Sequence, residues 1–186
     1  MTTTIVFSDG SSTVYKDNNN LKYGGIGIHI DGYNEYNLSI PLIGSDVTNQ
    51  KAELLAAITA IKLCKNKIND LNKIILYSDS MYTINCATKW AIDWGKNGWK
   101  RKTGEILNLV YVKELYDLTK TNNIEFRHVR SHQKEPLKTD EKWFTWNGNN
   151  IVDLLANNAM NNAMKIRNIT DLPNNIIIIN KIDVQK

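Results

Sequence analysis

Two stretches constrain this chain more than any others: Ile5–Ser12, IVFSDGSS, and Ile74–Ser80, IILYSDS. Each is an apolar run of strand formers that ends in Ser-Asp. Asp is depleted in strands and Gly breaks them, so Asp9-Gly10 alone reads as a solvated turn. The recurrence at Asp79 argues for more than a turn. Two carboxylates delivered on the ends of hydrophobic strands look like two walls of one site.

The elements between and around these stretches follow from pattern. Gly24–Ile30 and Tyr36–Ile40, split by the turn signal Asp31-Gly32, read as a hairpin after the first strand. Thr48 or Asn49 can cap a helix running to about Asn66, with Leu54, Leu55, Ile58 and Ile61 as its apolar face. Lys73–Ser78 is a continuous apolar run suited to a sheet centre. Met81–Asp93 predicts a helix, broken by Gly95, Asn97 and Gly98, and Thr103–Thr121 predicts another. Ile124–Arg130 alternates as a fifth strand, and the stripe Val152, Leu155, Ala156, Ala159, Met160, Ala163 places a last helix at about Asn149–Met164. A meander followed by β-α-β units predicts an α/β fold with a five-stranded mixed sheet flanked by helices.

The length of 186 residues suits one domain, taken as 1–167, with a C-terminal extension of unassigned role at 168–186. That extension holds the run Ile176–Ile179, which reads as an edge strand, a partner-binding segment or a tail. An exposed β-branched run aggregates unless covered, which favours packing. No apolar run approaches the length of a membrane span, and MTTTIVFSDG is no signal peptide, so no membrane contact and no secretion are expected. Cys64 and Cys86 form no metal-binding or disulfide pattern and fit a reducing compartment, the cytoplasm or nucleus. The net charge of +4 permits a nucleic-acid partner without demanding one.

Four acidic residues stand out by placement. Asp9 and Asp79 end strands, Glu53 sits in the first turn of a helix, and Asp153 lies near the start of the last helix. Singly, the two helical residues are explained by the macrodipole. Jointly, four carboxylates within a few ångströms change the balance. Each like-charge pair at 4 Å costs about 4 kcal/mol at an effective dielectric of 20, against a typical stability of about 5–15 kcal/mol. Such a cluster is tolerable when protonated or when divalent cations sit in it. Oxygen-only ligands favour Mg²⁺ or Mn²⁺, and the chemistry suited to them is two-metal phosphoryl displacement.

With these residues in place the chain resembles a type 1 ribonuclease H. The matching blocks are Phe7–Ser12, Gly24–Ile28, Thr48–Glu53, Leu76–Asn85, Trp94–Lys100, the pair Ser131-His132 and Gly148–Ala156, in the family's order from Ile5 to Met164. The resemblance implies the ribonuclease H-like fold and endonucleolytic hydrolysis of RNA in RNA–DNA hybrids, giving 5′-phosphate and 3′-hydroxyl ends. It implies that Asp9, Glu53, Asp79 and Asp153 hold two Mg²⁺ ions when substrate is bound. Asp9 would bridge them, Asp153 would hold the ion at the attacking water, and Glu53 and Asp79 the ion at the leaving oxygen. His132 would assist proton transfer or product release; the ordinary imidazole pKa near 6.5 suits a shuttle. His29 and His128 read as ordinary surface or core residues, and the alternation of His128 with Phe126 and Arg130 favours packing for it.

The resemblance also implies a substrate surface. Gly10, Ser11, Ser12, Asn49 and Gln50 would face the minor groove, where the 2′-hydroxyl marks RNA. Trp94, Lys96, Trp99 and Lys100 would belong to a basic protrusion that grips the DNA strand, and Thr48 with Asn108 would hold a DNA phosphate. Structural readings stand beside these: a turn for Ser11, a cap for Asn49, a solvated surface for Gln50 and the charge run, and an inward helix face for Trp90 and Trp94. The chain departs from the family pattern in three ways. Asp46 stands where many relatives carry a basic residue, the segment between His132 and Asp153 is long and holds Trp143, Phe144 and Trp146, and a separate hybrid-binding domain before the first strand is not expected. A monomeric enzyme is expected. The alternatives are a catalytically silent hybrid-binding module, a DNA-junction or integration nuclease of the same fold, and the nuclease domain of a reverse transcriptase. All four carboxylates speak against the first, the Thr48–Glu53 block and the protrusion against the second, and the Met before the first strand against the third.

Overall fold

The structure, a computed structural model, describes residues 1–166 and 177–178. Strands β1 (Thr2–Ser12), β2 (Lys22–Ile30) and β3 (Leu38–Gly44) form an antiparallel meander. Helix α1 (Asn49–Lys67) then leads to β4 (Leu71–Ser78), which pairs parallel with β1. A helical stretch follows as α2 (Met81–Asn85), a π turn at Cys86–Trp90 and α3 (Ala91–Lys96). Helix α4 (Leu109–Thr121), strand β5 (Ile124–His128) and helix α5 (Lys142–Met164) complete the main body. The sheet order is β5-β4-β1-β2-β3-β6.

The expected five-stranded mixed sheet is therefore present, with a two-residue β6 (Ile177–Ile178) added parallel to β3. Ile177 packs on the cluster Ile26, Leu42, Val47, Ala52 and Ala56. Of the three readings of the C-terminal run, these two residues form an edge strand; the rest of 168–186 lies outside the described residues. No helix among the described residues is long and apolar enough to cross a membrane.

Alternation along β1 sorts the two layers. Val6 points into a cluster with Leu54, Ala57, Ile58 and Ile61 of α1 and Val112 and Leu115 of α4. Its neighbour Phe7 points to the opposite face, with Ile75, Tyr77 and Val152 of α5. Helix α5 lies across β1, β2 and β3 at very short range. A Cβ on Gly25 would sit 2.2 Å from the Ala156 carbonyl oxygen and 2.5 Å from the Met160 nitrogen. Only glycine admits a helix backbone that close.

Four features differ from the pattern. Asp9-Gly10 is no turn, because β1 continues to Ser12 and Asp9 pairs with Gly27 in the ladder with β2. The helix expected at Thr103–Thr121 begins only at Leu109: Gly104 at φ +70° and Asn108 at φ +58° hold a left-handed path incompatible with helix before it. Helix α5 begins at Lys142 instead of about Asn149, since Phe144, Gly148 and Val152 continue the inward stripe one turn at a time. The Phe144 ring meets Phe7 edge-on, with centroids 5.7 Å apart. His128 is no packing residue, because it is exposed at the end of β5; His29 is buried, 2.9 Å from Asn37 through Nδ1.

Filling the β2–α5 interface will be costly. Gly25→Ala forces a backbone shift, and overpacking of this kind costs about 1–3 kcal/mol. Urea denaturation of the variant is expected to show a lower midpoint with an unchanged m-value.

Candidate active site

Parallel pairing between β1 and β4 ends at Phe7 and Tyr77, while β1 continues against β2. The two strands part there, and Asp9 stands at the fork on the same face as Phe7 and Ser11. It does not end its strand; it marks where β1 leaves β4. Asp79 follows Ser78 directly and precedes Ser80, the N-cap of α2. Asp153 lies in the middle of α5, not near its start, so the helix dipole no longer explains it. Glu53 is past the first turn of α1, which contains no acidic residue.

These four carboxylates feel one another. Asp9 is only 8% exposed. Burial first, then the charges of Asp79, Asp153 and Glu53, push its carboxyl up to about 8, against one opposing hydrogen bond from the Gly10 amide. Asp79 is raised by burial and by Asp153, and is drawn back by backbone hydrogen bonding, the Ser131 hydroxyl and His132. Glu53 is raised by burial and by Asp79, while the Ser80 hydroxyl and the Asn49 amide oppose the shift. Among the described residues no Lys or Arg is ion-paired with any of the four.

Local hydrogen bonds aim the cluster. The Gly10 amide donates to Asp9 Oδ1 at 2.8 Å. Asn49 Nδ2 donates to Glu53 Oε1 at 2.7 Å, and the Ser80 hydroxyl donates to Glu53 Oε2. Asn157, one turn along α5, donates to Asp153 Oδ1 at 3.1 Å. Ser80 and Asn157 escape the sequence reading. The four-residue spacing of Asp153 and Asn157 is a legible signal for one of them, whereas the bond from Ser80 joins two distant segments and leaves none.

His132 joins this centre from the turn after β5. Its backbone takes φ +53°, a left-handed conformation uncommon for a residue with a side chain. It lines a cleft of about 70 Å³ together with Asp153, Ser131, Asn149 and Trp146. The structure thus brings Asp9, Glu53, Asp79, Asp153 and His132 to one place.

The other candidate residues fall into separate groups. A Cβ on Gly10 would lie 2.3 Å from the Glu53 nitrogen, so glycine is required there to seat α1 on β1. The Ser11 hydroxyl donates to the Ala156 carbonyl at 2.9 Å, and Ser12 closes the strand. Thr48 is the cap of α1, accepting from the Lys51 amide, so Asn49 is not; Gln50 is exposed. Thr48 and Asn108 share a cavity of about 350 Å³ with Asp46 and Lys51. Asp46 is ion-paired with Lys51 there, which neutralises the acid at that position. Trp94 and Trp99 pack on the core while Lys96 and Lys100 face solvent, so the tryptophans of that segment point inward and its lysines stay exposed. The Lys113 ammonium lies 5.2 Å from the centre of the Trp99 ring.

The donor set fits hard divalent ions: carboxylates held by hydrogen bonds, with no Lys or Arg ion-paired to them among the described residues. Among the described residues no three His, Cys, Asp or Glu side chains are gathered into a ready-made cage.

A protein-family comparison matches residues 1–161 to the family described as RNase H. Human ribonuclease H1 is 37% identical over 129 residues, covering 69% of this chain and 43% of that protein. The chain thus spans less than half the length of the mammalian relatives it matches. Ribonuclease H of Syntrophomonas wolfei is 32% identical over 158 residues, covering 84% of this chain and 94% of the relative. Among solved structures, the RNase H domain of prototype foamy virus superposes with a TM-score of 0.65 at 23% identity, over 85% of this chain and 94% of that domain.

The raised Asp9 carboxyl has a measurable consequence for stability. The folded state keeps a proton that the unfolded chain, with a value near 3.8, releases; stability therefore falls as pH rises from about 4 to about 8. In chelator, Asp9→Asn is expected to unfold at a higher temperature than the wild type at pH 8 and at nearly the same temperature at pH 4. Added Mg²⁺ or Mn²⁺ should narrow the gap by raising the wild type alone. Thermal melts across pH, with and without the ions, read this directly.

Proposed function

The chain belongs to the RNase H family, and we propose that it is a divalent-metal-dependent endonuclease that hydrolyses the RNA strand of RNA–DNA hybrids. The observation that carries this reading is the mutual approach of Asp9, Glu53, Asp79 and Asp153 beside His132, with no Lys or Arg ion-paired to them among the described residues. Use of divalent ions is general in the family.

Asp9 would serve two ions at once, Asp153 the one on the side of the attacking water, and Glu53 with Asp79 the one on the side of the leaving 3′-oxygen. Mg²⁺, or Mn²⁺ in its place, supplies Lewis acidity at the scissile phosphate and lowers the cost of deprotonating water. The chain's own residues do the rest. Asn49 and Ser80 fix the direction of Glu53, and Asn157 that of Asp153. His132 takes up or returns a proton at its imidazole next to Asp79 and Asp153. No covalent intermediate is needed, and the products carry 5′-phosphate and 3′-hydroxyl ends.

Substrate choice follows from what the neighbouring groups still offer. The Ser11 hydroxyl has spent its hydrogen on Ala156, which leaves its oxygen as an acceptor for a ribose 2′-hydroxyl. Asn49 has committed an amide hydrogen to Glu53 and keeps its carbonyl oxygen as a second acceptor. Gln50 and the Gly10 and Ser12 backbone extend the same surface. Lys96 and Lys100, mounted on Trp94 and Trp99, would meet phosphates of the DNA strand, and Thr48 with Asn108 would hold one of them. Because Asp46 consumes the Lys51 charge, that pocket grips by hydrogen bonding more than by charge.

Cleavage of end-labelled RNA–DNA, RNA–RNA and DNA–DNA duplexes with Mg²⁺ tests the reading. Internal cuts are expected only in the RNA of the hybrid, and both EDTA and Asp9→Asn should abolish them. His132→Ala should lower kcat by about 10²-fold, the lower end of general acid–base contributions, with little change in KM. Hybrid binding without cleavage in Mg²⁺ and in Mn²⁺ would sink the proposal.

A further inference from the structure

The long segment between His132 and Asp153 has formed something specific. The first turns of α5 carry Phe144 against Phe7 and hold Trp146, whose indole Nε1 donates to the Gln133 carbonyl at 2.9 Å. The extension is thus anchored to the core at one residue and to the His132 turn at another. Between that turn and α5 lies an open cleft of about 410 Å³, lined by Arg130, Gln133, Lys134, Pro136, Lys142 and Trp146 among others. Among the described residues no acid lines it. Arg130, Lys134 and Lys142 are exposed, and among the described residues their side chains make no ion pair and no hydrogen bond. Asp140, the acid two residues before Lys142, is turned onto the Lys142 amide at 2.8 Å.

This cleft is continuous with the catalytic centre. Arg130, Gln133 and Trp146 line both it and the small cleft that holds His132 and Asp153. A polyanion lying across the carboxylates continues into it on one side. Three uncommitted cations and an aromatic wall are the complement of a phosphodiester chain.

We propose that the cleft between the His132 turn and the first turns of α5 is an additional subsite, which grips the phosphate backbone of the cleaved RNA strand on one flank of the cut. The proposal rests on the hybrid-cleaving reading and extends it to a surface separate from the tryptophan-mounted lysines. It also accounts for the length of the segment: the extra turns of α5 form the wall that Trp146 and Lys142 need. By this geometry Lys134 and Lys142 affect substrate capture and leave the chemical step alone, because neither lines the cleft that holds His132.

The test uses a hybrid whose labelled strand is DNA except for a short ribonucleotide block, so that the cut is confined. Neutral methylphosphonate linkages are placed in that strand on one flank or the other. In the wild type, neutral linkages on one flank only are expected to raise KM about five- to tenfold, with kcat within about twofold. Lys134→Ala/Lys142→Ala should show the raised KM on the unmodified hybrid and no further rise with the neutral flank. The salt slope of its binding should also be shallower, by about 0.7–0.9 for each phosphate that the variant no longer neutralises. If wild type and double variant respond alike to both flanks, the subsite is overturned while the cleavage reading stands. If the wild type neither binds nor cuts any hybrid, the cleavage reading falls and the subsite falls with it.

Discussion

Four carboxylates that act on one another, with no Lys or Arg ion-paired to them among the described residues, set the terms for the structure around them. Coulomb repulsion between close carboxylates is of the order of the whole net stability of a domain, so rigid elements are needed to hold them together. The chain does this with two central strands and two helices. Asp9 is fixed in a ladder, Asp79 at a strand end, Glu53 on a helix seated against Gly10, and Asp153 mid-helix on a face pressed against β2. The charges are thereby denied the easy relaxation of swinging apart, and Asp9 responds by keeping its proton. Preorganisation and discomfort have the same origin here.

Much of this is readable in the residues because hydrophobic periodicity reports burial, and burial positions strands and helices. The order of elements, the mixed character of the sheet and the placement of the candidate carboxylates follow from that signal. It fails where local chemistry and tertiary packing disagree. Asp9-Gly10 has turn composition but is held extended by the neighbour on β2 and by the need for α1 to approach. The start of α5 is hidden because Gly148 and its asparagine neighbours are poor helix formers, while its true support, Phe144 on Phe7, comes from distant sequence. Periodicity places the start of α4 too early because the left-handed residue Asn108 leaves no periodic trace. Bonds such as Ser80 to Glu53 connect segments that no local window can relate.

The tryptophans show a second economy. Trp94 and Trp99 lend their faces to the core and leave the flanking lysines in solvent, so one segment both packs and presents charge. The first turns of α5 repeat the arrangement with different residues: Phe144 anchors, Trp146 ties the neighbouring turn, and Lys142 stays outside. Basic groups on rigid aromatic mounts lose less freedom when they meet a phosphate than groups on loose loops.

The parallel seat of Ile177 and Ile178 on β3 bears on how the chain comes into being. On a ribosome, β3 emerges well before β6, so the acids of β1, α1 and α2's approach are out of the tunnel while the rim of the sheet still waits for its cover. During that interval Leu42 and Ile43 offer open peptide groups to any passing strand. Pro41 beside them lacks an N–H, which gives the waiting rim one interruption of its own. Messages cut short after α5 would yield a product with all its acids in place and its border unfinished, prone to pair with its own siblings on crowded polysomes.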